Sequence, residues 1–153
     1  MTEYLYDIDY DSEEMKLCGC MSEKIWSTYD DSVPITNFSD KERVVMLVWD
    51  VFWRVENGGF YSLFEESLPG DPSYRLALEA YKEIGSQKTI EAFQQALDLF
   101  PNGEVPVDAE ERIKLYGKID EDIHDQIDIN FFKGCNDLIK LLADYIKRNF
   151  PEG

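Results

Sequence analysis

Apolar residues recur along this chain at intervals of three and four, which is the spacing of an amphipathic α-helix, and no segment shows the alternation of a half-buried strand. One clear stripe is stopped by Gly85, and Asp71-Pro72 before it predicts an N-cap followed by proline at the first helical position. A second stripe follows Ser86 as its predicted N-cap and stops at Pro101. The two stripes are Tyr74, Ala77, Leu78, Tyr81, Ile84 and Ile90, Phe93, Leu97, Phe100.

The segment from Ser39 to Glu56 is apolar around most of its circumference, including Trp49 and Trp53. Ser39 and Glu42 have the spacing of a capping box, in which each side chain binds a free backbone N–H of the first turn. A thin polar strip remains, formed by Arg43, Asp50 and Arg54. We therefore predict that this helix is central and buried.

The motif Asn57-Gly58-Gly59-Phe60 follows the central helix and predicts its end. At least one of the two glycines is expected to have a positive φ, because a tight turn after a helix commonly requires the left-handed region. A short helix from Phe60 to Ser67 should follow and place Phe60 and Phe64 in the core. The motif is interpreted as structural.

Towards the C-terminus, Asp108 and Glu111 predict a capped helix that continues to residue 127, in which Gly117 is a weak point that would permit a bend. The last predicted helix turns Leu138, Leu141, Leu142 and Tyr145 inward and Lys140, Lys147 and Arg148 outward. The N-terminal residues are less clear: Glu13 to Tyr29 is compatible with a helix, and Met1 to Ser12 is interpreted as a loosely attached acidic arm. The whole predicts an all-α fold of about six to seven helices, with an N-terminal arm or helix (1–34) flanking or packed on a helical domain (35–153).

The charge balance limits the functions that the protein can have. The chain contains 32 acidic and 15 basic residues, which gives a formal net charge of −17. Such a charge repels nucleic acid phosphates and anionic membrane surfaces and attracts basic proteins. The longest apolar run, Val44 to Trp49, is far too short for a membrane span. The acidic N-terminus does not resemble a secretory signal, so we expect a cytoplasmic protein.

The sequence offers little catalytic chemistry. His124 is the sole histidine, no serine stands in a nucleophile context, and no phosphate-binding loop is present. We expect His124 to be a solvated surface residue. Cys18, Cys20 and Cys135 lack the spacing of a zinc knuckle and are expected to be free thiols. No enzyme, metal site or cofactor is predicted.

Acidic residues are densest at positions 120–128, where Ile119, Ile123 and Ile127 are expected to point inward and the acids outward. Acids three or four residues apart on one helix face step by about 4.5 to 6 Å, close to the roughly 6 to 7 Å between phosphates along one DNA strand. An ordinary solvated face is the alternative interpretation. The candidate partner-binding residues are Asp120, Glu121, Asp122, Asp125 and Asp128, with Glu65, Glu66, Glu110 and Glu111 in neighbouring acidic turns.

Four blocks of the sequence resemble, in the same order, the bacterial DNA-mimic-protein family of the neisserial type, a domain otherwise of unknown function. The resemblance covers roughly Ile35 to Phe150. The blocks are Asn57-Gly-Gly-Phe60 with the aromatics that follow, Ala80 to Gly85, Ala96 to Pro101, and Ile127 to Phe132 with Asp137 to Ile146.

This resemblance implies an acidic helical protein, forming a homodimer, that occupies the DNA-binding surface of a regulator. The hypothesis is an acidic interaction protein that blocks a basic DNA-binding protein. The alternative is an immunity protein that neutralises a basic toxin nuclease.

Overall fold

The computed structural model describes residues 8–28, 38–68, 71 and 73–151, and in these ranges the chain is built from helices without a strand. An isolated bridge pairs Leu68 with Asp71, and Pro101–Gly103 forms a short 3-10 turn. The all-α prediction is confirmed. The described residues form seven α-helices: α1 (Glu13–Thr28), α2 (Asp40–Glu65), α3 (Arg75–Ile84), α4 (Gln87–Asp98), α5 (Ala109–Gly117), α6 (Glu121–Lys133) and α7 (Cys135–Asn149).

Helix α2 lies at the centre and contacts α1, α3, α5, α6 and α7, as its apolar circumference predicted. Both bonds of its capping box are present: the Glu42 N–H donates to Ser39 Oγ at 3.2 Å, and the Ser39 N–H donates to Glu42 Oε1 at 3.1 Å. The burial is less complete than expected, because Trp49 is half-buried and Trp53 is 39% exposed.

Helix α3 begins later than predicted. Tyr74 and not Asp71 is its N-cap residue, but the Asp71 carboxylate still accepts the N–H groups of Leu76 at 3.0 Å and Ala77 at 2.9 Å in the first turn. The helix starts only at Arg75, after Tyr74 in the left-handed region with φ 63°. Pro72, expected at the first helical position, lies outside the described residues.

Ser86 precedes α4 but does not cap it with its side chain. Its hydroxyl donates instead to the Gly134 carbonyl at 3.4 Å, a contact between the α3–α4 turn and the α6–α7 junction. The predicted cap was therefore right in position and wrong in mechanism.

The long helix predicted after Asp108 is in fact two helices. Helix α5 ends at Gly117, and α6 begins at Glu121 with Asp120 as its N-cap, whose carboxylate accepts the Asp122 N–H at 2.9 Å. Because the helix is interrupted between Gly117 and Glu121, the predicted isoleucine stripe is not buried along its length. Ile119 is half-buried and Ile123 is 45% exposed. That part of the prediction is wrong.

Helix α1 packs against α7 and α2 and buries Met15, Cys18, Met21 and Ile25. Residues 1–7 of the predicted arm and the predicted helix end at Tyr29 lie outside the described residues, whereas Tyr10, in the described part of the arm, stacks on Trp53 of α2 at 5.9 Å. The three cysteines are free thiols, as expected, with Cys18 and Cys135 buried and Cys20 exposed. No described helix is long and apolar enough to span a membrane.

Helix α7 closes the fold and follows its predicted orientation closely. Leu138, Leu142 and Tyr145 are buried, whereas Leu141 is only half-buried. The basic residues Lys140, Lys147 and Arg148 are exposed as predicted.

Candidate partner-binding surface

The Asn57-Gly58-Gly59-Phe60 motif forms a sharp kink inside α2. Gly59 has φ 76° and ψ −172°, a combination that is essentially restricted to glycine, while Gly58 has φ −171°. The prediction of a positive φ at this turn is confirmed. After the kink the chain returns to a helix that buries Phe60 and Phe64, also as predicted, and the Phe60 ring packs on Phe131 of α6 at 5.3 Å between centroids.

Asp128 fastens α6 to this kink. Its Oδ1 accepts the Phe60 N–H at 3.0 Å, and a Cβ on Gly59 would lie 2.2 Å from its Oδ2. Position 59 therefore requires glycine for two reasons: its backbone angles, and the close approach of the Asp128 carboxylate. The expectation that Asp128 stands in an open row of acids is wrong, because its half-buried carboxylate turns towards the backbone of α2.

The location of Asp128 also changes its acidity. Burial raises the pKa of its carboxyl from 3.8 to about 6, the hydrogen bond from Phe60 opposes that shift, and the nearby charge of Asp125 adds to it. The Asp128 side chain thus connects α6 to the kink of α2, and its carboxyl is ionised mainly above pH 6.

Three other acids of α6 do face solvent. Glu121, Asp122 and Asp125 are exposed, and their carboxylates make no salt bridge or hydrogen bond with any residue in the described ranges. No lysine or arginine occurs anywhere in residues 119–132. We call these three residues the α6 acidic patch. Asp120 is exposed beside it but is engaged in capping α6.

His124 lies under this patch and is not the solvated histidine that the sequence suggested. Its ring stacks on Tyr116 with centroids 4.1 Å apart and an interplanar angle of 1°. Its Nε2 lies 2.8 Å from the Tyr116 carbonyl, which can only accept, so this nitrogen carries the proton. The histidine therefore joins α6 to α5 through its ring and its Nε2–H.

Tyr116 is itself buried between these elements, and its ring also contacts Phe64, Phe100 and Tyr61. Burial raises the pKa of its phenol well above 10, and the charge of Asp128 raises it further. The phenol consequently stays neutral at physiological pH and supplies no nucleophile.

A second group of acids surrounds the end of α2 and the start of α5, and a buried arginine places them there. Arg112 is fully buried, with its Nε donating to the Phe64 carbonyl at 2.7 Å. Its remaining nitrogens donate to the carbonyls of Pro106 at 3.0 Å and Val107 at 3.2 Å and to Ser67 Oγ at 3.3 Å. The guanidinium thereby joins the last turn of α2 to the first turn of α5.

Glu65 and Glu66 lie at the α2 end of this junction, and Glu110 and Glu111 at the α5 end, all four of them exposed. We call these four residues the Arg112 acidic patch. Sequence reasoning found the acids but missed the arginine. The available signal was a cation in the first turn of a helix, where the helix dipole disfavours it unless other groups hold it.

The described residues offer no group of three or more His, Cys, Asp or Glu side chains suited to a metal ion. A cavity of about 530 Å³ lies between α2, α3 and α7, lined by charged residues of both signs that include Asp40, Arg43 and Arg148. None of the acids of the two patches lines it.

Comparison with known proteins gave one match. No curated protein and no solved structure matched the chain. The family model described as DMP19-like protein matches residues 36–149, nearly the span over which the four sequence blocks predicted a relationship. The chain therefore belongs to the DMP19-like protein family, a family of DNA-mimic proteins.

Proposed function

We propose that this protein is a DNA mimic that occupies the DNA-binding face of a basic protein and excludes DNA from it, with no bond made or broken. The observation that carries the proposal is the α6 acidic patch, because its three carboxylates are exposed and lack counter-ions among the described residues. Fixed anions on a helix are available to a partner's lysines and arginines without first breaking an internal ion pair.

The spacing within the patch supports this role. Asp122 and Asp125 are three residues apart and Glu121 and Asp125 four, so the charges step by about 4.5 to 6 Å along α6. Phosphates along one DNA strand are separated by a similar distance. With Asp128 turned inward the row is shorter than the sequence suggested, and we propose that the Arg112 acidic patch supplies further contacts.

An ordinary solvated face explains the patch less well. Three acids elsewhere in the described ranges, Asp40, Asp50 and Glu79, pair with bases of their own helices. Acids in the first turn of a helix also gain from its dipole, which accounts for Glu121 and Asp122. The helix dipole does not account for Asp125, which lies beyond the first turn.

The test is competition for a partner. Basic proteins eluted from DNA-cellulose would be mixed with labelled duplex DNA and titrated with this protein, and fluorescence anisotropy would report release of the duplex. We expect at least one of them to release its DNA as the protein binds. A ternary complex in every case, or no release at low salt, would contradict the proposal.

A matched pair of variants assigns any competition to α6. Glu121→Lys with Asp125→Lys reverses one first-turn acid and one later acid of α6. Glu13→Lys with Glu23→Lys does the same on α1, which lies outside the residues matched by the family model. Both pairs change the net charge equally, so only the α6 pair should lose competition.

The same assay distinguishes a toxin nuclease from a DNA-binding regulator as the partner. If the displaced protein is a nuclease whose DNA cleavage stops on binding, the immunity interpretation is supported, whereas displacement of a transcriptional regulator supports the leading one. The homodimer implied by the family remains a prediction, and sedimentation at several protein concentrations would test it.

A further inference from the structure

The acidic surface of this protein also displays apolar side chains. Five large hydrophobic residues are exposed in the described ranges, and three of them lie beside the two acidic patches: Tyr61 at 40%, Val107 at 69% and Ile123 at 45%. Isolated exposed apolar residues are common on any surface, so their position relative to the acids decides whether they matter.

Ile123 lies at the flank of the α6 acidic patch, next to Asp122 in sequence and three residues after Asp120, whereas Glu121 and Asp125 point to the other side of the helix. Its exposure results from the break at residues 118–120, which starts α6 afresh and leaves only Ile127 and Phe131 as buried residues of that helix. The helix thus exposes an isoleucine at the edge of its acidic face.

Tyr61 links the two patches. Its ring contacts Tyr116 at 6.4 Å between centroids, and Tyr116 in turn stacks on His124 next to Ile123. Along α2, Tyr61 is four residues before Glu65, so the two side chains lie on the same face of that helix. Val107 lies at the Arg112 acidic patch, because its carbonyl is held by Arg112 and Asp108 follows it.

We propose that these apolar residues take part in binding, and that the partner's face carries apolar side chains between its basic ones. This inference rests on the proposed function and narrows the partner. Proteins that read DNA place lysine and arginine on phosphates and use aliphatic or aromatic side chains against thymine methyls and base faces. Carboxylates would stand in for phosphates, and Ile123 and Tyr61 for the apolar parts of bases.

The binding free energy would then have an electrostatic part and an apolar part, and the two respond differently to salt concentration. Screening weakens the carboxylate contacts as ionic strength rises, whereas contacts between apolar surfaces persist. A partner that recognised charge alone would lose all affinity in high salt. A partner of the proposed kind keeps part of it.

The test uses two synthetic helical peptides of equal positive charge, one with leucines between its lysines and one with serines at the same positions. At about 0.5 M salt, where charges are strongly screened, we expect the leucine peptide to bind about tenfold more tightly than the serine peptide. Ile123→Ser should remove most of that preference. Tyr61→Ser is a second variant, and thermal unfolding would check that each variant folds.

The matched control is Tyr10→Ser, since Tyr10 is 44% exposed and stacks on Trp53 at 5.9 Å, away from the α6 helix in sequence and outside the family match. It should keep the preference for leucine. Equal binding of both peptides by the unaltered protein, or equal loss in the Tyr10 and Ile123 variants, would overturn the inference. The proposed function would then still stand if the α6 charge reversals abolished competition with DNA.

Discussion

Helices α6 and α7 follow one another along the chain and are similar in length, with 13 and 15 residues, yet the core holds them very differently. Helix α7 buries seven residues, four of them aliphatic side chains larger than alanine. Helix α6 buries only Ile127 and Phe131, although it packs along α4 and also contacts α2 and α7, and Asp128 and His124 add polar contacts. We infer that α7 contributes mainly buried apolar surface to stability, whereas α6 packs on its neighbours with fewer buried side chains and leaves more of its surface for binding.

Removal of Phe131 should have the largest effect, because it is the main apolar attachment of α6. Its ring is fully buried against Phe60 and Tyr81. Phe131→Ala should lower the free energy of unfolding by about 3 to 5 kcal/mol. Hydrogen exchange should show the amides of α6 losing protection first. Leu142→Ala in α7, at about 2 to 5 kcal/mol, should instead lower protection across the fold, and a uniform loss in both variants would break the distinction.

The kink tests the polar attachment of α6. Gly59→Ala forces an L-residue into a glycine backbone conformation, which costs about 1 to 3 kcal/mol, and drives a methyl group into Asp128. Gly58→Ala is the matched control, since its φ of −171° suits any residue and its new methyl would meet only the side chain of Ser62, whose hydroxyl can rotate away. Chemical denaturation should show a clearly smaller loss for Gly58→Ala, and equal losses would show that Asp128 does not crowd Gly59.

The pH dependence of stability tests the burial of Asp128. Its pKa is raised in the folded state from 3.8 to about 6, so the folded state binds the proton more tightly and the contribution of this group to stability grows as pH falls from about 6 to 4. Asp128→Asn keeps an oxygen acceptor for the Phe60 N–H and removes the buried charge. At pH 7 it should stabilise the protein by about 1 to 3 kcal/mol.

That gain should shrink towards zero near pH 4, where the native carboxyl is already neutral. Urea denaturation of both proteins at several pH values would measure the difference, which removes the contribution of the other acids. A variant less stable than the native protein at pH 7 would mean that the ionised hydrogen bond outweighs the cost of burial.

The smallest effect is expected on the exposed face of α6. Ile123→Ala should change the free energy of unfolding by less than about 0.5 kcal/mol, because nearly half of this residue is exposed and it is not part of the buried core. Thermal unfolding would measure it. A loss on the scale of a core substitution would show that α6 packs as the uninterrupted isoleucine stripe had suggested.

Local patterns in the sequence were sufficient for the fold class, the central helix and the kink. The capping box at Ser39 and the glycine pair depend on neighbouring residues only, so their geometry follows from the local sequence. The errors have a different origin. The stripe through Ile123 keeps a helical period across a break that Asp120 creates by capping a new helix, and periodicity does not register such a break.

The candidate surface was predicted in its exposed acids and missed in its long-range contacts. Asp128 looks like Glu121 and Asp125 along the sequence, and only the arrival of the kinked backbone from α2 turns it inward. Arg112 holds carbonyl groups from two separate segments, a set of partners that the local sequence does not show. Both residues are defined by tertiary contacts.

The most direct test of the account is the salt dependence of affinity for a partner identified by DNA competition. It would be measured for the native protein, the α6 reversal pair Glu121→Lys with Asp125→Lys, and the α1 pair Glu13→Lys with Glu23→Lys. Because screening acts on the charges that contact the partner, the native protein and the α1 pair should show the same steep loss of affinity with salt. The α6 pair should bind weakly at low salt with a much shallower dependence. Indistinguishable curves for the two reversal pairs would contradict the claim that α6 is the binding helix.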